Sequence, residues 1–139
     1  MDIRELNKEE IAPALDLVWK VFLEYEAPDY SQEGVDEFYK SIHNSNYLSM
    51  LTFYGAFSDS LVGVIATRNE GKHIALFFVD GRYQGQGIGR ALFNAVKTDI
   101  MTVNSSPYAV PIYQKLGFYA TNEEQVINGL RFIPMVLGD

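Results

Sequence analysis

The stretch GRYQGQGIGRAL, residues 81–92, decides how this chain is read. Gly81, Gly85, Gly87 and Gly89 crowd together, and the segment then takes a helical pattern. Ile88, Ala91, Leu92, Ala95 and Val96 recur at the i, i+3, i+4, i+7, i+8 spacing of one apolar helix face. Ahead of the loop, HIALFFVD at 73–80 reads as a strand. A strand, a glycine-rich loop and a helix start make an anion site. The first helical N–H groups lack backbone partners, the dipole places partial positive charge there, and glycines let the backbone wrap a phosphate. Several such amides together suit a pyrophosphate.

Two common phosphate loops do not fit. A Walker A loop requires Gly-Lys-Ser/Thr, whereas Gly89 is followed by Arg90-Ala91. The dinucleotide fingerprint G-x-G-x-x-G is met at Gly85 and Gly87 but fails at Arg90. That fingerprint also follows the first strand of a βαβ unit. Here turns at Asp59-Ser60 and Asn69-Glu70-Gly71 join strands at 47–57, 61–67 and 73–80 into an antiparallel meander.

Working outward, Ile3 to Leu6 reads as a short strand, and Asn7 with Glu10 signals a helix start. Ile11, Leu15, Val18 and Phe22 form the inner face of that helix, with Pro13 forcing a kink or a later start. APDY at 27–30 breaks the chain. Ser31 then caps a second helix that turns Val35, Phe38 and Ile42 inward. After the loop helix come a strand at 100–104, a helix at 107–116 ended by Gly117, and strands at 118–121 and 130–137. The whole chain, 1–139, reads as a single α+β (mixed α/β) domain, with about seven strands in a mostly antiparallel twisted sheet and about four helices.

Composition narrows the function. Apolar content of 47% and charged content of 21% are globular. A chain of this length buries roughly 68–70% of its unfolded surface, enough for its own core. The absence of cysteine excludes disulfides, thiolate ligands and a cysteine nucleophile. Two histidines, His43 and His73, argue against a histidine-rich metal site, so no metal is expected. No apolar run reaches a membrane span and the N-terminus lacks a signal-peptide core, so the expectation is a soluble cytoplasmic protein with no membrane partner. A net charge of −7 argues against nucleic acid as a partner. All of the excess lies in residues 1–40, where four Lys/Arg face eleven Asp/Glu, a surface that attracts cations.

The spacing Gln84-x-x-Gly87-x-Gly89, after a strand and opening a helix, resembles the signature Q/R-x-x-G-x-G/A of the GNAT N-acetyltransferase superfamily. A second match is VNSSPYAVPIYQKLGF at 103–118, which resembles the family's segment ending in Y-x-x-L-G-F. The order of elements matches over nearly the whole chain. The resemblance implies a GNAT-like fold and acetyl-CoA as donor co-substrate. The amides of Gln84, Gly85, Gln86, Gly87, Ile88 and Gly89 would bind its pyrophosphate, and the strand at Phe77, Phe78 and Val79 would pair with its pantetheine arm. Arg82 and Arg90 are candidates for phosphate contact.

The chemistry required is specific. A lysine-like amine is neutral in only about one molecule in 10³ at pH 7, so a base is useful, and the leaving thiolate benefits from an acid. The resemblance makes Tyr113 the candidate acid, with Tyr108 its competitor. Asn104 resembles the asparagine that contacts the pantetheine arm. The interval from Asn104 to Tyr113 is longer than usual in the family, however, and Ser106 stands at the usual interval, so the two are rivals. Some members carry a glutamate base in the fourth strand. Counting back from Val79 reaches His73, on one strand face with Ala75, Phe77 and Val79 by period two. Ordered water is the alternative base.

In the family the acceptor lies over the first two helices, here FLEYEAPDYSQEG at 22–34. Glu24, Glu26 and Asp29 would hold a cationic amine, and Tyr25 or Tyr30 would pack on it. The expected activity is direct transfer of an acetyl group to a small cationic amine, such as a polyamine or aminoglycoside-like compound, or to a peptide amine. A non-catalytic acetyl-CoA sensor or scaffold, and an interaction module binding no coenzyme, are the alternatives. A homodimer is common in the family, and the apolar strand at 130–137 would contribute, with Pro134 limiting edge pairing.

Overall fold

Asn7 and Glu10 form a capping box: the Asn7 side chain accepts the Glu10 N–H at 3.2 Å and the Glu10 carboxylate accepts the Asn7 N–H at 2.9 Å. In the computed structural model, which describes residues 1–138, this box closes a 3-10 turn, Lys8–Glu10, that runs into helix α1 (Ile11–Tyr25). Pro13 therefore falls in the first turn of α1, where its missing N–H has no intrahelical partner to lose. The buried stripe of α1 is Ala14, Leu17, Val18, Val21 and Phe22, with Ile11 and Leu15 at its margin. Helix α2 (Gln32–Ile42) is capped by Ser31, whose hydroxyl accepts the Gly34 N–H at 3.3 Å. Phe38 of α2 stacks on Phe22 at 3.9 Å.

The run 47–57, expected to be one strand, is divided. The Asn44 side chain accepts the Tyr47 N–H at 3.0 Å and starts the short helix α3 (Ser45–Ser49), so strand β2 (Thr52–Phe57) begins only after it. An apolar run without a clear period does not choose between helix and strand, and here the upstream cap chooses.

The remaining elements are β1 (Asp2–Glu5), β3 (Leu61–Arg68), β4 (His73–Val79), α4 (Ile88–Val96), β5 (Met101–Ser105), α5 (Val110–Lys115), β6 (Tyr119–Ala120), β7 (Gln125–Ile127) and β8 (Leu130–Leu137). The sheet order is β1-β2-β3-β4-β5-β8-β6, with β7 also paired to β8. Every pairing is antiparallel except β4 with β5. Strand β7 was not expected. It joins β8 through Asn128-Gly129, a two-residue turn with φ of 52° and 81°. α1 and α2 cover one face of the sheet, and α4 and α5 the other. On α4 the inward face is completed by Phe93, 1% exposed, while Ala95 is exposed. Strand β8 pairs with β5 over 133–137 on one side and with β7 and β6 on the other, so most of the run 130–137 is an inner strand rather than an edge.

The placement of the site follows from β4. It pairs with β5 only at His73↔Thr102 and Ile74↔Val103, and beyond that the two parallel strands diverge. Ala75 is bulged, because Leu76 pairs with Ala66 and Ile74 with Thr67. One extra residue reverses the side-chain alternation. Ile74 therefore joins Phe77 and Val79 in the core under α4 and α5. His73 pairs with Thr102, which alternates with the buried Met101 and Val103 of that same core, so it lies on the α1–α2 side. The expected shared face of His73, Ala75, Phe77 and Val79 is not formed.

Candidate active site

The glycine loop presents unengaged donors. Gly85 and Gly87 have φ of 78° and 84°, and nothing among the described residues lies within 4 Å of where their Cβ atoms would stand. Left-handed backbone, not crowding by the protein, requires glycine at both. The Tyr83 N–H bonds the Asp80 carbonyl at 2.9 Å and the Ala91 N–H bonds the Gly87 carbonyl at 3.0 Å. Between them, the N–H groups of residues 84–90 have no acceptor among the described residues. The Gln84 side chain donates to the Val79 carbonyl at 2.9 Å and that of Gln86 to the Arg82 carbonyl at 3.4 Å, which braces the loop. Ile88 buries its side chain in the core, leaving only its backbone to the loop. Arg90 donates to the Lys115 carbonyl at 3.2 Å.

Asp80, which in the sequence only ends a strand, anchors the loop. Only 6% exposed, its carboxylate accepts the Arg82 N–H at 3.0 Å and the Arg82 guanidinium at 3.2 Å, and meets Lys20 of α1 at 3.4 Å. The bonds from Arg82, with Lys20 adding less, hold this carboxyl down at about 2.

Two cavities of about 350 Å³ each meet beside the diverging strands. The first, on the side expected to take the coenzyme and so named the coenzyme-side cavity, runs past Gln84, Gly85 and Gly89 of the loop and Val79 of β4. Tyr25 and Tyr108, with ring centroids 5.5 Å apart, also line it. The second, on the side expected to take the acceptor and so named the acceptor-side cavity, is lined by Tyr30, Phe38, Tyr47, Arg68 and His73 among others. Glu26, Phe77, Phe78, Ala109 and Tyr113 border both.

Tyr113 is 5% exposed, with its ring 5.9 Å from Phe77 and 5.5 Å from Phe118. Burial, helped by the nearby Glu26 charge, pushes its hydroxyl well above the usual phenol range, so it holds its proton at neutral pH. Tyr108 borders the coenzyme side alone. Asn104 and Ser106 both line the acceptor-side cavity and not the coenzyme side. The Ser106 hydroxyl accepts the Ala109 N–H at 3.2 Å, opening the turn that delays α5 to Val110.

Of the expected acceptor residues, Glu26 and Tyr30 reach the acceptor-side cavity, Tyr30 donating its hydroxyl to the Arg131 carbonyl at 3.1 Å. Tyr25 turns to the coenzyme side, while Glu24 and Asp29 are exposed and line neither cavity. Glu24 lies on the last turn of α1, Glu26 just after the helix and Asp29 in the tight turn Ala27–Asp29, so the three side chains leave the backbone in different directions. The acidic cluster expected at 24–29 is therefore not assembled at the site. Glu26 is pushed up to about 7, first by burial, against the Ser106 hydroxyl that favours its charged form, with Asp29 adding to the rise. His73 Nδ1 is hydrogen-bonded to Thr102 Oγ1 at 2.7 Å. Burial and then the Arg68 charge lower His73 to about 4, so it is neutral at pH 7. Arg68 ends an apolar strand and carries no sequence signal beyond that of a solvated terminus. Among the described residues, no group of three or more His, Cys, Asp or Glu side chains gathers as metal ligands.

Comparison with known proteins agrees with this geometry. A GCN5-related N-acetyltransferase from Rhodopseudomonas palustris superposes with a TM-score of 0.84 at 22% identity, covering 99% of this chain and 95% of that one. YjaB from Escherichia coli gives 0.78 at 20% identity, covering 99% and 98%. The PaiA N-acetyltransferase from Thermoplasma acidophilum, solved in complex with coenzyme A, gives 0.69 at 19% identity, covering 99% and 98%. No curated protein matches the sequence. Residues 26–138 match the family described as Acetyltransferase (GNAT) domain. The free loop amides, the diverging strands β4 and β5 and this match over most of the chain agree, and the protein belongs to the GNAT acetyltransferase family.

Proposed function

We propose that the protein transfers an acetyl group from acetyl-CoA directly to a primary amine held in the acceptor-side cavity. The observation that carries this reading is the junction itself: Glu26 and Tyr113 border both cavities at once. Acetyl-CoA supplies an activated thioester. The loop amides at 84–90 bind its pyrophosphate, and the β4 edge from Ala75 to Val79, unpaired with β5, receives its pantetheine arm. A complex of PaiA with coenzyme A shows that a protein of this fold takes that ligand.

Glu26 takes the proton from the incoming ammonium. Its carboxyl, raised to about 7, is balanced between the two forms at neutral pH, which suits a base. His73, lowered to about 4, is a weaker base, and it stands where β4 and β5 still pair rather than at the junction. Tyr113 keeps its proton and donates it to the departing sulfur. With no cysteine in the chain, no thiol of the protein is available to carry the acetyl group. The cavity carries Glu26 and Glu37 against Arg68 and Arg131, so it suits an acceptor of mixed charge better than a polycation.

The test is release of free thiol from acetyl-CoA with a panel of primary amines. Turnover that falls in both Glu26→Gln and Tyr113→Phe supports the reading. Coenzyme binding with no thiol release from any amine refutes it.

A further inference from the structure

Arg68 lines the acceptor-side cavity as a cation with no partner among the described residues. Its Nε is buried and meets no hydrogen-bond acceptor. No carboxylate among the described residues lies within ion-pair distance of it. Arg131, the other guanidinium lining this cavity, is by contrast committed to Glu124 at 2.9 and 3.1 Å and to the Asp29 carbonyl at 2.8 Å. Around Arg68 stand the neutral groups of His73, its cross-strand partner, and Tyr47, whose hydroxyl feels the Arg68 charge. Further along, Phe38 and Ile42 make the lining apolar. Arg68 as a whole is half-buried, and its buried donor without an acceptor is destabilising. A guanidinium presents a planar fork that matches a carboxylate in two parallel hydrogen bonds.

We propose that the acceptor bears a carboxylate as well as its reacting amine, and that Arg68 binds the carboxylate. This rests on the catalytic reading above and deepens it. The amine end is set by Glu26 at the junction, beside Phe77 and Phe78. Arg68 pairs across the ladder with His73, four residues before Phe77 on the same strand. The bulged Ala75 adds no step along the ladder, so the three remaining steps of about 3.3 Å place the two ends on the order of 10 Å apart. The class is therefore an amino acid whose reacting amine is several carbons from its carboxylate, or a short peptide of that span, rather than a polyamine.

Three amines of matched length separate the options: ε-aminocaproate, hexylamine and hexamethylenediamine. In the wild type, kcat/KM for ε-aminocaproate should exceed that for the other two roughly ten- to hundredfold, the range for a charge-assisted hydrogen bond. Arg68→Gln should bring that ratio near one, chiefly through KM. Arg68→Lys should retain part of it, and Arg68→Glu should turn the preference toward the diamine. Coenzyme A raising Tm equally in every variant shows that each is folded. A wild type that prefers hexylamine or the diamine, or an Arg68→Gln variant that keeps the wild-type ratio, overturns the proposal. Calorimetric titration of the coenzyme A complex with ε-aminocaproate reads the site without turnover. Binding that needs Arg68, with no thiol release from any amine, upholds the carboxylate site and removes the catalytic reading. Thiol release with hexylamine but not with ε-aminocaproate upholds catalysis and removes the carboxylate site. Absence of both binding and release removes both.

Discussion

Glu26 and Tyr113 border the same two cavities, one from the loop after α1 and the other from α5, and the Glu26 charge reaches the Tyr113 hydroxyl. Burial acts first on both groups. It raises the carboxyl into the neutral range and carries the phenol beyond it. One low-dielectric junction thus holds a carboxyl that ionises near pH 7 and a phenol that stays protonated.

Glu26→Gln should lower kcat/KM by roughly 10²–10⁴, the usual contribution of a positioned base. The acidic limb of the wild-type pH profile should lie at about 7 and disappear in the variant. If that limb survives Glu26→Gln, lies near pH 4 and vanishes in His73→Gln, the histidine is the base instead.

The same residue should have a stability signature of opposite sign. The folded carboxyl binds its proton more tightly than the ordinary 4.5, so ionisation costs the wild type stability as pH rises from 4.5 to about 7. Over that window the Tm of Glu26→Gln should climb relative to wild type, then hold its advantage. Thermal melts at pH 5 and pH 8 decide it, and an equal difference at both would show that Glu26 is not desolvated.

Tyr113→Phe should lower kcat roughly 10²-fold while KM for acetyl-CoA stays put. The ring contacts with Phe77 and Phe118 survive the change, so Tm should move little. An unchanged kcat would remove the acid assignment.

Gly87→Ala places a Cβ at φ 84°, at a cost of roughly 1–2 kcal/mol. Nothing within 4 Å opposes the methyl itself, so the strain is in the backbone. The loop should relax away from its donor-presenting shape. The measurement is the rise in Tm with added coenzyme A, expected to shrink in the variant.

Asp80→Ala should cost roughly 1–2 kcal/mol, as loss of a helix-cap carboxylate does, and weaken coenzyme binding by freeing the loop from α1. The carboxyl is held at about 2, below its ordinary 3.8, so its contribution is complete above 3.8 and fades as pH falls toward 2. Melts of both proteins should converge over that range.

Much of the framework was legible because local signals did not conflict. Asn7 with Glu10, Ser31, the turns at 59–60 and 69–71, and the glycines at 85 and 87 each satisfy a nearby backbone requirement. Where one signal outweighed another, the reading missed. Asn44 cut the apolar run at 47–57, and the Asn128-Gly129 turn paired β8 with a strand, Gln125–Ile127, only three residues long.

The order of elements and the donor-rich loop are properties of the chain alone, since each rests on contacts among residues close in sequence. The assembly of the site depends on tertiary structure. The bulge at Ala75 turned His73 to the other face, and the end of α1 with the turn that follows it separated the acids expected to act together. Burial then gave Glu26 its raised pKa and left Arg68 without a partner. Desolvation and side-chain direction are set by what packs around a residue after folding, and those neighbours come from distant parts of the chain.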